Sequence, residues 1–204
     1  MKKKTHRFAF LALALLLAGC QSTPAAAKTL AVAPHSVSAD TEKLLQLMPQ
    51  GSSTYFFDLH IDDSIDGISV QNWILDENHQ WQDNGGNGMN GILDHTDKLL
   101  MIQLLPDQSS FSWSCDGVSS TTAIGNDSQE DAYFKPEWGM RGQDRLEEKI
   151  EVALNQPIPL LLILEKDAGA EGSTSMSVND LALVLDHPEQ VDADRAVLIT
   201  VTFK

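Results

Sequence analysis

Val197-Leu-Ile-Thr-Val-Thr-Phe203, followed by Lys204, decides the fold. Val197, Ile199, Val201 and Phe203 alternate with Leu198, Thr200, Thr202 and Lys204. A period of two is the signature of a β-strand, whose successive side chains point to opposite faces. Working outward, the same period recurs at Tyr55, Phe57, Leu59 and Ile61, set against Phe56, Asp58, His60 and Asp62. That pattern predicts a half-buried strand with one wet face. Residues 68–75 form a further β segment. His79-Gln-Trp81-Gln reads as a short strand entered through the turn Asp76-Glu-Asn78. Residues 99–105, LLMIQLL, are apolar on both faces and bounded by Pro106, as expected of a central strand. In Phe111-Ser-Trp-Ser-Cys115, Phe111, Trp113 and Cys115 share one face. Residues 159–164 are another apolar strand.

Two stretches fit either state. Ile150, Val152 and Leu154 suit a strand, whereas Leu146, Ile150 and Leu154 suit a helix; Pro157 close behind favours the strand. Residues 181–185 are similarly open, with Ser177 and Asp180 spaced as a capping box for a short helix. Residues 39–48 read as a helix capped by Ser38 or Asp40, carrying Leu44, Leu45, Leu47 and Met48 on an apolar side and stopped by Pro49. Residues 84–91 read as a glycine–asparagine loop, and residues 117–147 are the least regular part of the chain. Seven to nine short β segments with no βαβ rhythm predict a mainly β protein. The architecture is an antiparallel β-sandwich with one or two short helices. An immunoglobulin-like topology is one option, although the inter-sheet cystine of antibody domains is absent.

The chain has 204 residues and a formal charge of −15, with 29 acidic and 14 basic side chains. One domain of this size buries a full core. The negative excess argues against nucleic acid, which demands Lys and Arg patches. It suits cationic partners and colloidal solubility.

The N-terminus divides into three parts. Lys2, Lys3, Lys4 and Arg7 precede a ten-residue apolar run, residues 8–17. That run is too short to cross about 30 Å of hydrocarbon as a helix, so it reads as a signal-peptide core. Leu17-Ala18-Gly19-Cys20 follows and resembles the lipobox of bacterial membrane lipoproteins. The resemblance implies cleavage before Cys20, a diacylglyceryl group on its thiol and a further acyl chain, such as palmitate, on the new amine. It implies an extracytoplasmic protein held to the cell membrane or outer membrane by lipid. Gln21, where an Asp would signal inner-membrane retention, points to the outer membrane in a two-membrane host. The leader carries four of the basic residues and no acid, so its removal takes the formal charge from −15 to −19. The expected organisation is a signal peptide over 1–19, a lipidated flexible tether over 20–38 and a single β-rich domain over 39–204. With Cys20 consumed by lipid, Cys115 has no disulfide partner and is expected to be a buried core thiol.

Motifs for chemistry are weak. Gly85-Gly-Asn-Gly-Met-Asn-Gly-Ile-Leu93 follows the calcium nonapeptide pattern except that Asn90 replaces its Asp, and a single copy has no neighbouring turn to share an ion with. Asp76-Glu-Asn78-His-Gln80 starts like an EF-hand loop and lacks its glycine and terminal Glu. Acids and histidines adjoin at His60 with Asp62 and Asp63, Asp76 with His79, Asp94 with His95, and Asp186 with His187. None has the i, i+4 spacing of a zinc helix; Asp62, Asp63 and Asp94 are the nearest to a metal set. No nucleophile elbow, zincin motif, P-loop or dinucleotide fingerprint occurs, so neither catalytic residues nor a cofactor is assigned. The stretch Tyr133-Phe-Lys-Pro-Glu-Trp138-Gly-Met-Arg141-Gly joins aromatic anchors, glycines and an Arg. Tyr133, Phe134, Trp138 and Arg141 are therefore the candidate partner-binding loop. The expected function is a membrane-anchored binding or accessory module of the cell envelope, recognising an envelope protein or glycan. The alternative is an envelope hydrolase acting on polysaccharide or peptide.

Overall fold

A computed structural model describes residues 29–48, 53–91, 97–105, 110–124, 140–166, 178 and 180–204. Among the described residues there are eleven strands: β1 (Ala31–Pro34), β2 (Ser53–His60), β3 (Gly67–Leu75), β4 (Trp81–Asn90), β5 (Lys98–Leu104), β6 (Ser110–Cys115), β7 (Val118–Ala123), β8 (Met140–Arg145), β9 (Ile150–Glu151), β10 (Ile158–Lys166) and β11 (Arg195–Phe203). One helix, α1 (Ala39–Leu45), and two 3-10 turns (Leu181–Leu183 and Pro188–Gln190) complete them. The strands form two sheets, one ordered β7-β6-β5-β2-β1-β9 and the other β4-β3-β11-β10-β8. Every pairing is antiparallel, and the two sheets stack as a β-sandwich.

Alternation places the core. In the six-stranded sheet Phe57 and Leu59 of β2, Leu100, Ile102 and Leu104 of β5, and Phe111, Trp113 and Cys115 of β6 are all buried. In the five-stranded sheet Ile199 pairs with Asn72, whose amide reaches Ala123 O in the opposite sheet, so the Ile199 face lies between the sheets. β5 departs from expectation. Its register buries one series, while Leu99 is exposed and Met101 half-buried on the outer surface. Residues apolar on both faces thus mark an interior strand whose second face is only partly covered.

β11 is covered on both faces. Leu198, Thr200 and Thr202, the series that alternates with Val197, Ile199, Val201 and Phe203, are buried as well. The cause is Val178 and the segment 180–194, which strap the outer face of this sheet. Asp144 on that face accepts the Val178 N–H at 2.9 Å, the Trp81 indole N–H donates to Val184 O at 2.8 Å, and Asp194 N–H donates to Glu165 O at 2.9 Å. Leu181, Val184 and Val191 of the strap are themselves buried. The Trp73 indole N–H meets the Thr200 hydroxyl at 3.0 Å, so the buried threonine keeps a partner.

Four local expectations change. First, residues 31–34, placed in the tether over 20–38, form β1 between β2 and β9, with Ala31 and Val32 fully buried. The domain therefore begins before residue 39. Second, residues 84–91 are largely strand β4 rather than loop. Gly86 and Gly88 lie so close to β3 that a Cβ on Gly86 would stand 2.3 Å from Val70 O, and one on Gly88 2.6 Å from Ile68 O. Here the glycines mark close backbone approach. Third, β7 and β8 emerge from the irregular stretch 117–147. The β6–β7 turn is Asp116-Gly117, with φ values of 50° and 80°, as a two-residue hairpin requires. Fourth, α1 is capped by the Ser38 hydroxyl accepting from Thr41 N–H, but it buries no residue, and Leu44 and Leu47 are exposed. The open stretch at 150 becomes the two-residue strand β9. Leu181–Leu183 is a 3-10 turn capped by Asp180 itself, and Ser177 lies outside the described residues.

Candidate functional site

The two margins of the sandwich are built differently. At the β4/β7 margin the sheets are stitched by amides. Asn72, fully buried on β3, donates to Gly85 O at 3.1 Å and Ala123 O at 3.5 Å, and accepts from the Asn84 amide at 2.6 Å. Asn87 on β4 donates to the Thr122 hydroxyl of β7 at 3.0 Å. At the β8/β9 margin the chain leaves β8 through Leu146, whose N–H donates to Leu160 O at 2.9 Å, and crosses to the other sheet through Glu147 and Glu148. Here the sheets part around a cleft of about 740 Å³ lined by residues 143–148, Tyr55, Ile150, Leu161, Val178 and residues 180–182. A second hollow of about 620 Å³ shares Tyr55, Arg145, Leu146 and Glu147 with it and runs toward His35, Glu42 and Leu45.

The cleft has an apolar floor and a charged rim. Leu146, Leu161 and Leu181 are buried beneath it. The Tyr55 hydroxyl spans from β2 to β8 by donating to Gln143 Oε1. Burial raises the Tyr55 pKa above its ordinary value, against smaller opposing effects of Ser53 and Arg145, so the phenol stays protonated and donating. Of the rim carboxylates, Asp144 is engaged with Val178 N–H, and Asp180 Oδ1 accepts Ala182 N–H at 2.9 Å. Glu147 and Glu148 are exposed, as is Arg145 between them and Tyr55. None of these three has a salt-bridge partner among the described residues.

Of the candidate loop, Tyr133, Phe134 and Trp138 lie outside the described residues, as does Cys20. Arg141 is on β8 and does not line the cleft. Its guanidinium binds Glu165 Oε1, with Nε at 2.7 Å and Nη2 also in contact. Glu165 is 1% exposed, and its Oε2 has no hydrogen-bond partner among the described residues. Burial raises the Glu165 pKa, and Arg141 opposes the rise. Arg141 therefore ties β8 to β10.

The metal candidates separate. Asp62 accepts Ser64 N–H at 2.8 Å and the Ser64 hydroxyl, a local turn; Asp63 is exposed and Asp94 lies outside the described residues. His60 pairs with Asp97 at 3.0 Å rather than with its sequence neighbours, and His35 pairs with Asp58 at 2.9 Å. Asp76 accepts Gln80 N–H, Asn78 N–H and the Gln82 amide, which hold its carboxyl below the usual range. Among the described residues no group of three or more His, Cys, Asp or Glu is placed to hold a metal ion. Cys115 is buried, and burial, reinforced by Asp116 against Lys98, pushes its thiol up to about 11. A thiol so protonated at neutral pH is a core side chain, not a nucleophile.

The cleft itself had no sequence motif. Tyr55 reads as one member of a strand face, and Arg145-Leu-Glu-Glu148 as a charged connection. Only the crossing from one sheet to the other brings them together. No protein-family model, curated protein or solved structure matches this chain.

Proposed function

We propose that this protein is a lipid-anchored, extracytoplasmic lipoprotein of the cell envelope whose β-sandwich serves as a binding or accessory module, with the β8/β9 cleft as its binding surface. The observation that carries the binding role is the cleft: a concave site with a buried apolar floor and convergent polar groups. The address rests on the charged n-region, the ten-residue apolar run and the lipobox ending at Cys20. One acyl chain holds a protein only marginally, whereas two or three make residence long-lived, each buried CH₂ contributing about 0.8 kcal/mol. Among the described residues no helix is long and apolar enough to cross a membrane. The residues between Cys20 and β1 leave the module reach above its anchor.

Two measurements test this. Intact mass of the membrane-extracted protein should show loss of residues 1–19 and a mass gain equal to a diacylglyceryl group with or without an N-acyl chain. Cys20→Ala should move the protein to the soluble fraction. A full-length, unacylated wild type would overturn the address. For the binding role, a photo-reactive residue at position 147 should give a discrete adduct in native envelopes, and one at Ser112 on the outer sheet face should not. Equal labelling from both positions would overturn the cleft.

A further inference from the structure

We infer that the cleft takes an extended cationic peptide segment with apolar side chains between its basic ones; this rests on the cleft being the binding surface. Three observations carry it. The two hollows share Tyr55, Arg145, Leu146 and Glu147 in their linings and so lie side by side, an arrangement that suits an extended ligand better than a compact one. Among the described residues five carboxylates line them (Glu42, Asp144, Glu147, Glu148 and Asp180) against one guanidinium, within a chain of formal charge −15. A cationic ligand is thus attracted both locally and by the whole field. The floor of Leu146, Leu161 and Leu181 removes apolar side chains from water.

Arg145 decides between cationic ligands. It stands beside Tyr55 with no salt bridge among the described residues. A linear polyamine has only donors and would meet a like charge there. A peptide offers backbone carbonyls, which the guanidinium can donate to while the rim carboxylates pair with Lys or Arg side chains. Among the described residues Glu42, Glu147 and Glu148 have no salt-bridge partner, whereas Asp144 and Asp180 are already engaged with backbone N–H groups.

The test uses the purified protein with a fluorescein-labelled short peptide alternating Lys and Leu, read by anisotropy. Its Glu–Leu counterpart, a Lys–Ser peptide and spermidine serve as competitors. The Lys–Leu peptide should bind saturably and weaken as salt rises from about 0.05 to 0.5 M, where the Debye length shortens from over 10 Å to about 4 Å. Glu147→Lys with Glu148→Lys should weaken binding by about tenfold or more, and Arg145→Ala should reduce the preference over spermidine. Near-UV circular dichroism verifies that these exposed substitutions leave the fold intact. Equal competition by the Glu–Leu peptide, equal competition by spermidine, or no saturable binding would overturn the proposal. A discrete adduct from position 147 in native envelopes, with no Lys–Leu binding, would remove the cationic peptide and leave the binding cleft standing.

Discussion

Asn72→Ala should unlock the stitched margin. Asn72 is fully buried and holds Gly85 O at 3.1 Å, the Asn84 amide at 2.6 Å and, more weakly, Ala123 O at 3.5 Å. A net hydrogen bond contributes about 0.5–1.5 kcal/mol. The two short bonds therefore supply roughly 1–3 kcal/mol, and the long one adds little. Gly85 and Ala123 are exposed residues, so water can reach the released carbonyls, which removes the larger penalty of dry orphaned groups. The expected loss is about 2 kcal/mol, or a fall in Tm of about 4–8 °C for a domain of this size. Urea unfolding should show the loss as a lower midpoint at unchanged slope. A double-mutant cycle with Asn84→Ala isolates the 2.6 Å contact and should return a coupling of about 1 kcal/mol. A single-mutant cost below about 0.5 kcal/mol, together with additivity in the cycle, would refute the stitch as a stabilising device.

Gly86→Ala places a methyl 2.3 Å from Val70 O, so β4 must shift away from β3; a loss of about 2 kcal/mol or more in urea unfolding is expected, while the same change at Gly85, where nothing lies within 4 Å but φ is +93°, should cost about 1 kcal/mol by strain alone. Cys115 should resist a thiol reagent at pH 8 in the native protein and react fully in denaturant, as befits a buried thiol raised to about 11. Glu165 binds its proton more tightly folded than unfolded, so its contribution is fully present below the ordinary Glu value and is lost as pH climbs through the raised folded value. Glu165→Gln should therefore compare more favourably with wild type at pH 7 than at pH 4 in chemical denaturation, and an unchanged difference would contradict the shift. Leu44→Ser with Leu47→Ser should leave Tm within about 2 °C of wild type, since both side chains are exposed.

Where one face of a strand is buried and the other wet, the pattern was legible. β2, β6 and the inward series of β11 follow directly from alternation, as does the buried Cys115. The misreadings share one physical origin: burial is decided by neighbours far away in the chain. β1 has small residues and a proline and looks like a linker, yet β2 and β9 on either side make it an interior strand. β4 carries loop residues because β3 presses on its backbone. The outer face of β11 is dry only because residues near 184 return to cover it. Asp116-Gly117 was a legible hairpin signal inside an otherwise serine-rich stretch. The cleft was not legible, since it arises from a crossing between sheets. Cys20 and the aromatic loop around Trp138 lie outside the described residues.

The position of β11 has a consequence for biogenesis. Among the described strands it comes last in the sequence and lies at the centre of the five-stranded sheet, joining β3 on one side to β10 on the other. A chain synthesised as far as residue 190 holds β3–β4 and β8–β10 as two pairs with no common neighbour. Their union waits for the arrival of residues 195–203, at a sequence separation of over a hundred residues from β3. Pairing of this kind is slow and leaves apolar edges open in the interim. The five-stranded sheet therefore stays divided until β11 has been added, and truncation within that strand should yield an aggregating chain instead of a smaller domain.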